Sequence, residues 1–211
     1  MMKAKSAFLA ILLVAIWASV VLSQPTIQGR LSGNLGPGAY VVIGNCSVDA
    51  GATLTVAPGT TFQFSGHFSI KVYGTLNAVG TAADSILFVR QSVTPDCEWS
   101  GLRFMAGAPA NSVVSYALFE GARYQVWPDY YGGALFIGAP VTISHCYVNN
   151  CYSASGGGIY IASVNSGTVN ITDCIIMNCS AGNGGGLYVY YSNATVNILN
   201  SFIARNSSTS T

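Results

Sequence analysis

From Gly132 to Asn206 the chain states nearly the same phrase three times, and nothing else in it constrains the fold so strongly. Gly132-Gly133-Ala134-Leu135-Phe136-Ile137 returns as Gly156-Gly157-Gly158-Ile159-Tyr160-Ile161 and again as Gly184-Gly185-Gly186-Leu187-Tyr188-Val189. A second phrase follows each copy. His145-Cys146-Tyr147-Val148-Asn149-Asn150-Cys151 is answered by Asp173-Cys174-Ile175-Ile176-Met177-Asn178-Cys179 and more loosely by Asn200-Ser201-Phe202-Ile203-Ala204-Arg205-Asn206. Cys146 to Cys174 is 28 residues and Cys174 to Ser201 is 27, inside the window of about 20 to 50 that marks stacked repeats, whose units bury a core only against each other.

The repeats also predict where the coil is fixed and where it varies. Four residues separate Cys151 from Gly156 and Cys179 from Gly184, whereas three, seven and six separate Ile137 from Val141, Ile161 from Val169 and Val189 from Val196. One corner is constant and another absorbs every change of length, and variable loops on one face are where binding residues concentrate.

Before the repeats, apolar residues alternate in short pieces. Leu54 and Val56, Phe62 and Phe64, Ile70 and Val72, and Leu76 and Ala78 are separated by Ala57-Pro58-Gly59, Ser65-Gly66 and Gly74. Period two in pieces of three to five residues is a strand signal. Glycine is abundant, at 24 residues, and only 7% of residues are charged, against about 25% in ordinary domains. The expectation is an all-β chain with a surface of Ser, Thr, Asn, Gly and Tyr. Gln91 to Cys97 reads as a loop thrown out of a coil, and Gly121 to Tyr131 as an aromatic-rich connection. Between them Val114 to Gly121 reads as a degenerate copy of the Cys phrase, with Cys146 lying 30 residues beyond Tyr116.

The first 23 residues stand apart. Lys3 and Lys5 precede an apolar run from Ala7 to Leu22, and Val21-Leu22-Ser23 offers a cleavage site. Residues 1–23 therefore read as a secretory signal peptide, which makes the protein secreted, extracellular or cell-surface; no membrane span is expected in the mature chain. Residues 24–44 read as an N-terminal cap on residues 45–211, the coil itself, which is expected to be truncated or to stack end to end with another copy. With eight basic and seven acidic residues, nucleic acid is not an expected partner.

Ala52 to Thr60, Ile70 to Ala78, Ile86-Leu87-Phe88 and Trp99 to Phe104 resemble the opening coils of secreted right-handed parallel β-helix proteins of the pectate-lyase-like superfamily. The resemblance implies an all-β, right-handed parallel β-helix of six to seven coils, a scaffold that hosts lyases, hydrolases, adhesins and passive surface proteins alike. The three copies are also similar to the repeats of polymorphic outer-membrane proteins, in which Gly-Gly-Ala-(Ile, Leu or Val) is paired with Phe-x-x-Asn. Gly132 to Leu135 fits that pattern fully, while Phe202 to Arg205 lacks the Asn.

Strands of successive coils lie about 4.8 Å apart in register, so equivalent residues form ladders. Cys146 is expected over Cys174 and Cys151 over Cys179, as buried thiol stacks or as rung-to-rung disulfides. Such pairs stack in a plane with only His145 nearby, so no metal site and no cofactor is expected. Asn150 over Asn178 predicts an amide ladder. Leu135, Ile159 and Leu187 face the core, so Phe136, Tyr160 and Tyr188 face outward. Together with Trp127, Tyr130 and Tyr131 they are the candidates for contact with a glycan or a cell-surface partner. Five Asn, at 45, 170, 178, 193 and 206, stand in Asn-x-Ser/Thr contexts that a eukaryotic secretory pathway could glycosylate.

Catalysis on such a scaffold calls for clustered or paired carboxylates. The close pair is Asp96 and Glu98, the weak catalytic candidates, and neither His67 nor His145 has a nucleophile at a recognisable spacing. The reading is a structural or binding module, adhesin-like or glycan-binding, with a polysaccharide lyase or glycoside hydrolase as the alternative.

Overall fold

A computed structural model describes residues 23–123 and 130–209. The expected signal peptide and Trp127 lie outside the described residues, apart from Ser23.

Every strand pair is parallel, and the chain visits three faces in a fixed rotation. The first face runs through Thr60–Phe64, Ile86–Arg90, Ala117–Glu120, Tyr147–Asn149, Ile175–Met177 and Phe202–Ala204. The second runs through Ile70–Val72, Leu102–Phe104, Leu135–Ile137, Ile159–Ile161 and Leu187–Val189. The third is a seven-stranded sheet from Gly33–Leu35 to Thr195–Leu199. This is a parallel β-helix of seven coils. The first two faces are joined by one long strand, Gly38–Val48, whose start pairs with Thr60–Phe64 and whose end pairs with Ile70–Val72.

The expected boundary between a cap and the coil falls inside that strand. Residues 24–44 do not form a separate cap: Thr26–Arg30 pairs in parallel with Gly38–Val48, and Gly33–Leu35 with Thr53–Val56, so this stretch is itself the first coil. Its glycines hid the alternation: Gly29, Gly33 and Gly38 stand at positive φ inside strands, where they present no side chain to either face, and Gly36 takes positive φ between Gly33–Leu35 and Gly38–Val48.

Inside, equivalent residues stack into columns. Phe62, Phe88 and Phe119 lie ring on ring at 4.9 and 4.8 Å with planes within 9°, and the column continues through Val148 and Ile176. Trp99 caps Phe64 at 4.3 Å and donates its indole N–H to the Glu120 carbonyl. Burying one such side chain contributes about 1.5–3 kcal/mol, so the early coils are held by aromatics and the later ones by aliphatics.

Two corners are built on left-handed backbone. Tyr116, His145, Asp173 and Asn200 have φ between 48° and 54°, and Gly121, Asn150, Asn178 and Arg205 between 53° and 70°. Gly, Asn and Asp adopt this region at least cost, which accounts for Asp173 and Asn200 at the first corner and Gly121, Asn150 and Asn178 at the second, while Tyr116, His145 and Arg205 hold the same backbone at a cost. Register corrects one expectation, because Leu118 pairs with Tyr147. The offset is 29, so Cys146 stands over Ala117 and Tyr116 stands under His145, their rings stacked at 4.5 Å.

Candidate functional site

The outward side of the second face carries two neighbouring ladders. One is Lys71, Arg103, Phe136, Tyr160 and Tyr188, fixed by the pairs Lys71↔Arg103, Phe136↔Arg103, Phe136↔Tyr160 and Tyr160↔Tyr188. The other follows two positions later, where the backbone bonds Gly138 to Phe104, Ala162 to Ile137 and Tyr190 to Ile161 place Met105, Gly138, Ala162 and Tyr190 in line. The middle rungs of this second ladder have almost no side chain. Met105 and Tyr190 therefore wall a notch over Gly138 and Ala162, an apolar groove of about 360 Å³ whose inner side is Phe136 and Tyr160.

The rings are ordered. Phe136 and Tyr160 lie 5.7 Å apart at 9°, Tyr131 covers Tyr160 at 4.8 Å and 10°, and Tyr188 and Tyr190 follow at 5.7 and 6.3 Å from Tyr160. Tyr131 reaches the array because it bridges in parallel to Ser155, the last residue of Tyr152–Ser155, which pairs with Ser180–Asn183 and, through it, Ser207–Ser208 in a further three-stranded sheet. Around it a second hollow of about 420 Å³ is lined by Tyr130, Tyr131, Ser155, Asn183 and Tyr188. A third, about 270 Å³, opens at the variable corner between Ala106, Gly138, Pro140 and Asn165. The first and third hollows share Ala106 and Gly138, and the first and second share Tyr131, Tyr160 and Tyr190, so one groove crosses the face along the strand direction.

This arrangement both follows and departs from the sequence expectation. Phe136 and Tyr188 are half-buried, but Tyr160 is only 5% exposed because its neighbours cover it; it is the floor of the array and not an open platform. Burial, and after it the nearby tyrosines, push its phenol up to about 12. A hydrogen bond with Tyr130 raises Tyr131 as well. Arg103, the rung before Phe136, is buried, its guanidinium 4.6 Å from the Phe136 ring centroid and donating to the Ser100 carbonyl. Tyr190, Met105 and the notch were not singled out from sequence. The signal was present in the third copy, which reads Tyr190 where the others read Gly138 and Ala162.

The cysteines stand in the ladders expected, and all six are thiols. Cys146 and Cys174 donate to the carbonyls of Ser144 and Thr172 at 3.2 Å each, Cys151 and Cys179 to those of Asn149 and Met177 at 3.1 and 3.2 Å. The hydrogen bond with Cys174 and then burial push the Cys146 thiol well up; for Cys151 burial leads and Cys179 follows.

The amide ladder is corrected. Asn178 donates to Asn149, and Asn150 donates to the Glu120 carboxylate at 3.2 Å while accepting from Arg123 at 3.4 Å. Asn at 150 and 178 answers a backbone demand, and the amides are free to pair elsewhere.

Asp96 is exposed in a single 3-10 turn, Pro95–Cys97. Glu98 is half-buried with Arg123 at 3.9 Å, and its carbonyl meets His67 Nδ1 at 2.8 Å. Glu98 is thus tied to Arg123 through its carboxylate. Among the described residues no three His, Cys, Asp or Glu side chains are grouped to hold a metal ion, and no helix is long and apolar enough to cross a membrane.

A family model described as "Right handed beta helix region" matches residues 39–210. No curated protein and no solved structure matches the chain.

Proposed function

Because the chain belongs to the right-handed β-helix family, a scaffold that fixes shape and leaves activity to the outward side chains, we propose that it is a secreted or cell-surface binding module that holds a glycan in the groove over Gly138 and Ala162. The observation that carries this reading is the stack of Phe136, Tyr160 and Tyr131, with planes within 10° and Tyr188 tilted by 26° beside it, around an open, apolar notch. Flat apolar rings edged by hydroxyls suit the face of a sugar, which is apolar on its C–H side and polar at its rim. The leader-like sequence of residues 1–23 and the repeats similar to those of polymorphic outer-membrane proteins support an extracellular, adhesin-like setting.

The last described coil supports a second contact. It leaves Val189, Leu199, Phe202 and Ile203 between 43% and 59% exposed, whereas the first coil turns Thr26, Gln28, Arg30 and Asn34 to solvent. The partner proposed for this apolar end is the same end of a second copy, since a head-to-tail contact would set apolar against polar surface.

The glycan reading is tested by titrating the purified chain with oligosaccharides while following tyrosine fluorescence. Saturable binding lost in Tyr188→Ala is expected. Polysaccharide turnover abolished by Asp96→Asn or Glu98→Gln would replace the binding module with an enzyme.

A further inference from the structure

The groove is made without a charge. Among the described residues its linings contribute the hydroxyls of Tyr130, Tyr131, Tyr160, Tyr188 and Tyr190, those of Ser155 and Ser163, and the amide of Asn183. Of the two cations on the ladder that carries Phe136, Tyr160 and Tyr188, Arg103 lies 2% exposed against the Phe136 ring and Lys71 stands one coil further away, and neither is among the linings. No carboxylate is among the linings of any of the three hollows.

An anion seated here would lose water against phenyl and phenol rings with no cation to meet it, and an unpaired buried charge costs far more than a hydrogen-bonded hydroxyl. The tyrosine hydroxyls donate and accept, which matches the hydroxyl rim of a sugar. Their charge does not intrude, since Tyr160 ionises only near 12 and Tyr131 above its ordinary value. The direction of the groove adds a limit on size. It crosses three-residue strands, Leu135–Ile137, Ile159–Ile161 and Leu187–Val189, and at about 3.3 Å per residue such a face is about 10 Å wide between its corners. A ligand lies across the coil over a short segment and not along the helix axis.

Resting on the glycan reading above, we infer that the site selects a short uncharged glycan segment and discriminates against uronate-containing polymers. Met105 and Tyr190 hold the segment from either side, Phe136 and Tyr160 line the inner side of the groove, and Asn183 and Ser155 meet its hydroxyls at the far end.

The test is calorimetric titration of the full chain with uncharged xylo-, cello- and manno-oligosaccharides and with oligogalacturonate and oligoalginate. At least one uncharged series is expected to bind about tenfold or more tighter than both acidic ones, a difference of about 1.4 kcal/mol. Its affinity is expected to hold from about 50 to about 500 mM salt, because no ion pair is there to be screened, and from about pH 5 to about pH 9, because no carboxylate, imidazole, thiol or amine lines the groove. Ala162→Leu fills the notch on the outward face without removing a ring, and is expected to lose the same binding as Tyr188→Ala. Preferred, salt-sensitive binding of an acidic oligosaccharide that Ala162→Leu abolishes would overturn the inference and leave the glycan reading standing. No binding by any of the five series would sink both.

Discussion

Asn178 donates from Nδ2 to Oδ1 of Asn149 across 2.8 Å, and not to Asn150, the residue whose place it takes one coil later. Asn149 in turn donates to Glu120 at 2.7 Å, and Asn150 reaches the same carboxylate's other oxygen. The chain of amides therefore steps sideways between coils and ends on a charge that two amides satisfy. What the ladder of Gly121, Asn150, Asn178 and Arg205 shares is φ between 53° and 70°.

Backbone strain at that ladder gives a prediction of sign. Left-handed backbone costs an ordinary residue about 1–2 kcal/mol, and Gly nothing of that kind. Arg205→Gly is expected to stabilise the chain by about 0.5–1 kcal/mol, whereas Asn178→Val, β-branched and unable to donate to Asn149, is expected to cost about 2 kcal/mol or more. Urea denaturation midpoints check both. A stabilised Asn178→Val would show that the corner tolerates branching and that the Asn is there for another reason.

Those particulars show what the sequence carried. The stacked coil, the two Cys ladders and the variable corner follow from spacing, because in-register stacking turns a 27- or 28-residue repeat into geometry, whereas the parallel β-helix followed from the resemblance carried by Ala52 to Phe104. The first coil did not show, since Gly29, Gly33 and Gly38 occupy strand positions with no side chain to mark an alternation. The aromatic candidates Phe136, Tyr160 and Tyr188 were legible as outward residues by period two. The groove was not, because it depends on what is missing at Gly138 and Ala162 and on Tyr131 arriving from a different part of the coil.

Tyr160 supplies a prediction in pH. Its folded phenol ionises near 12, above the ordinary value of 10. Between those values the unfolded chain has released the proton and the folded chain has kept it, so the unfolded state binds fewer protons and stability falls as pH rises. The contribution is whole below about pH 10 and is lost toward about pH 12. Urea melts at about pH 8 and about pH 10.5 are expected to show a smaller alkaline loss in Tyr160→Phe than in the parent. An equal loss would remove Tyr160 as a source of the effect. Tyr160→Ala is a poor probe of binding, since deleting so buried a ring costs about 3–5 kcal/mol.

Cysteine reactivity follows burial. Cys46, Cys146, Cys151, Cys174 and Cys179 are buried and Cys97 is half-exposed in its turn. Burial pushes Cys46 up to about 11, and the thiolate is the reactive form. Brief alkylation of the folded, reduced chain with iodoacetamide is expected to label Cys97 first and the other five only on unfolding, as read by peptide mass spectrometry. Early labelling of Cys151, deep in the constant corner, would mean that this corner opens in solution.

The apolar end of the last described coil completes the set. Ile203 continues the inward column of Phe62, Phe88, Phe119, Val148 and Ile176, yet it is 44% exposed, beside Phe202 at 59% and Leu199 at 56%. Strand edges also lie open there, since Leu187–Val189, Thr195–Leu199 and Phe202–Ala204 each end their sheets. An apolar face rimmed by unpaired backbone groups favours association. If a second copy covers it, light scattering over a rising concentration series is expected to show a dimer that stops at two, because an end-to-end contact about a two-fold axis closes on itself. Phe202→Ser with Leu199→Ser is expected to return the chain to a monomer and to lower its thermal midpoint at high concentration but not at low. Growth beyond two copies would instead favour head-to-tail stacking, and a parent that stays monomeric at every concentration would remove self-association altogether.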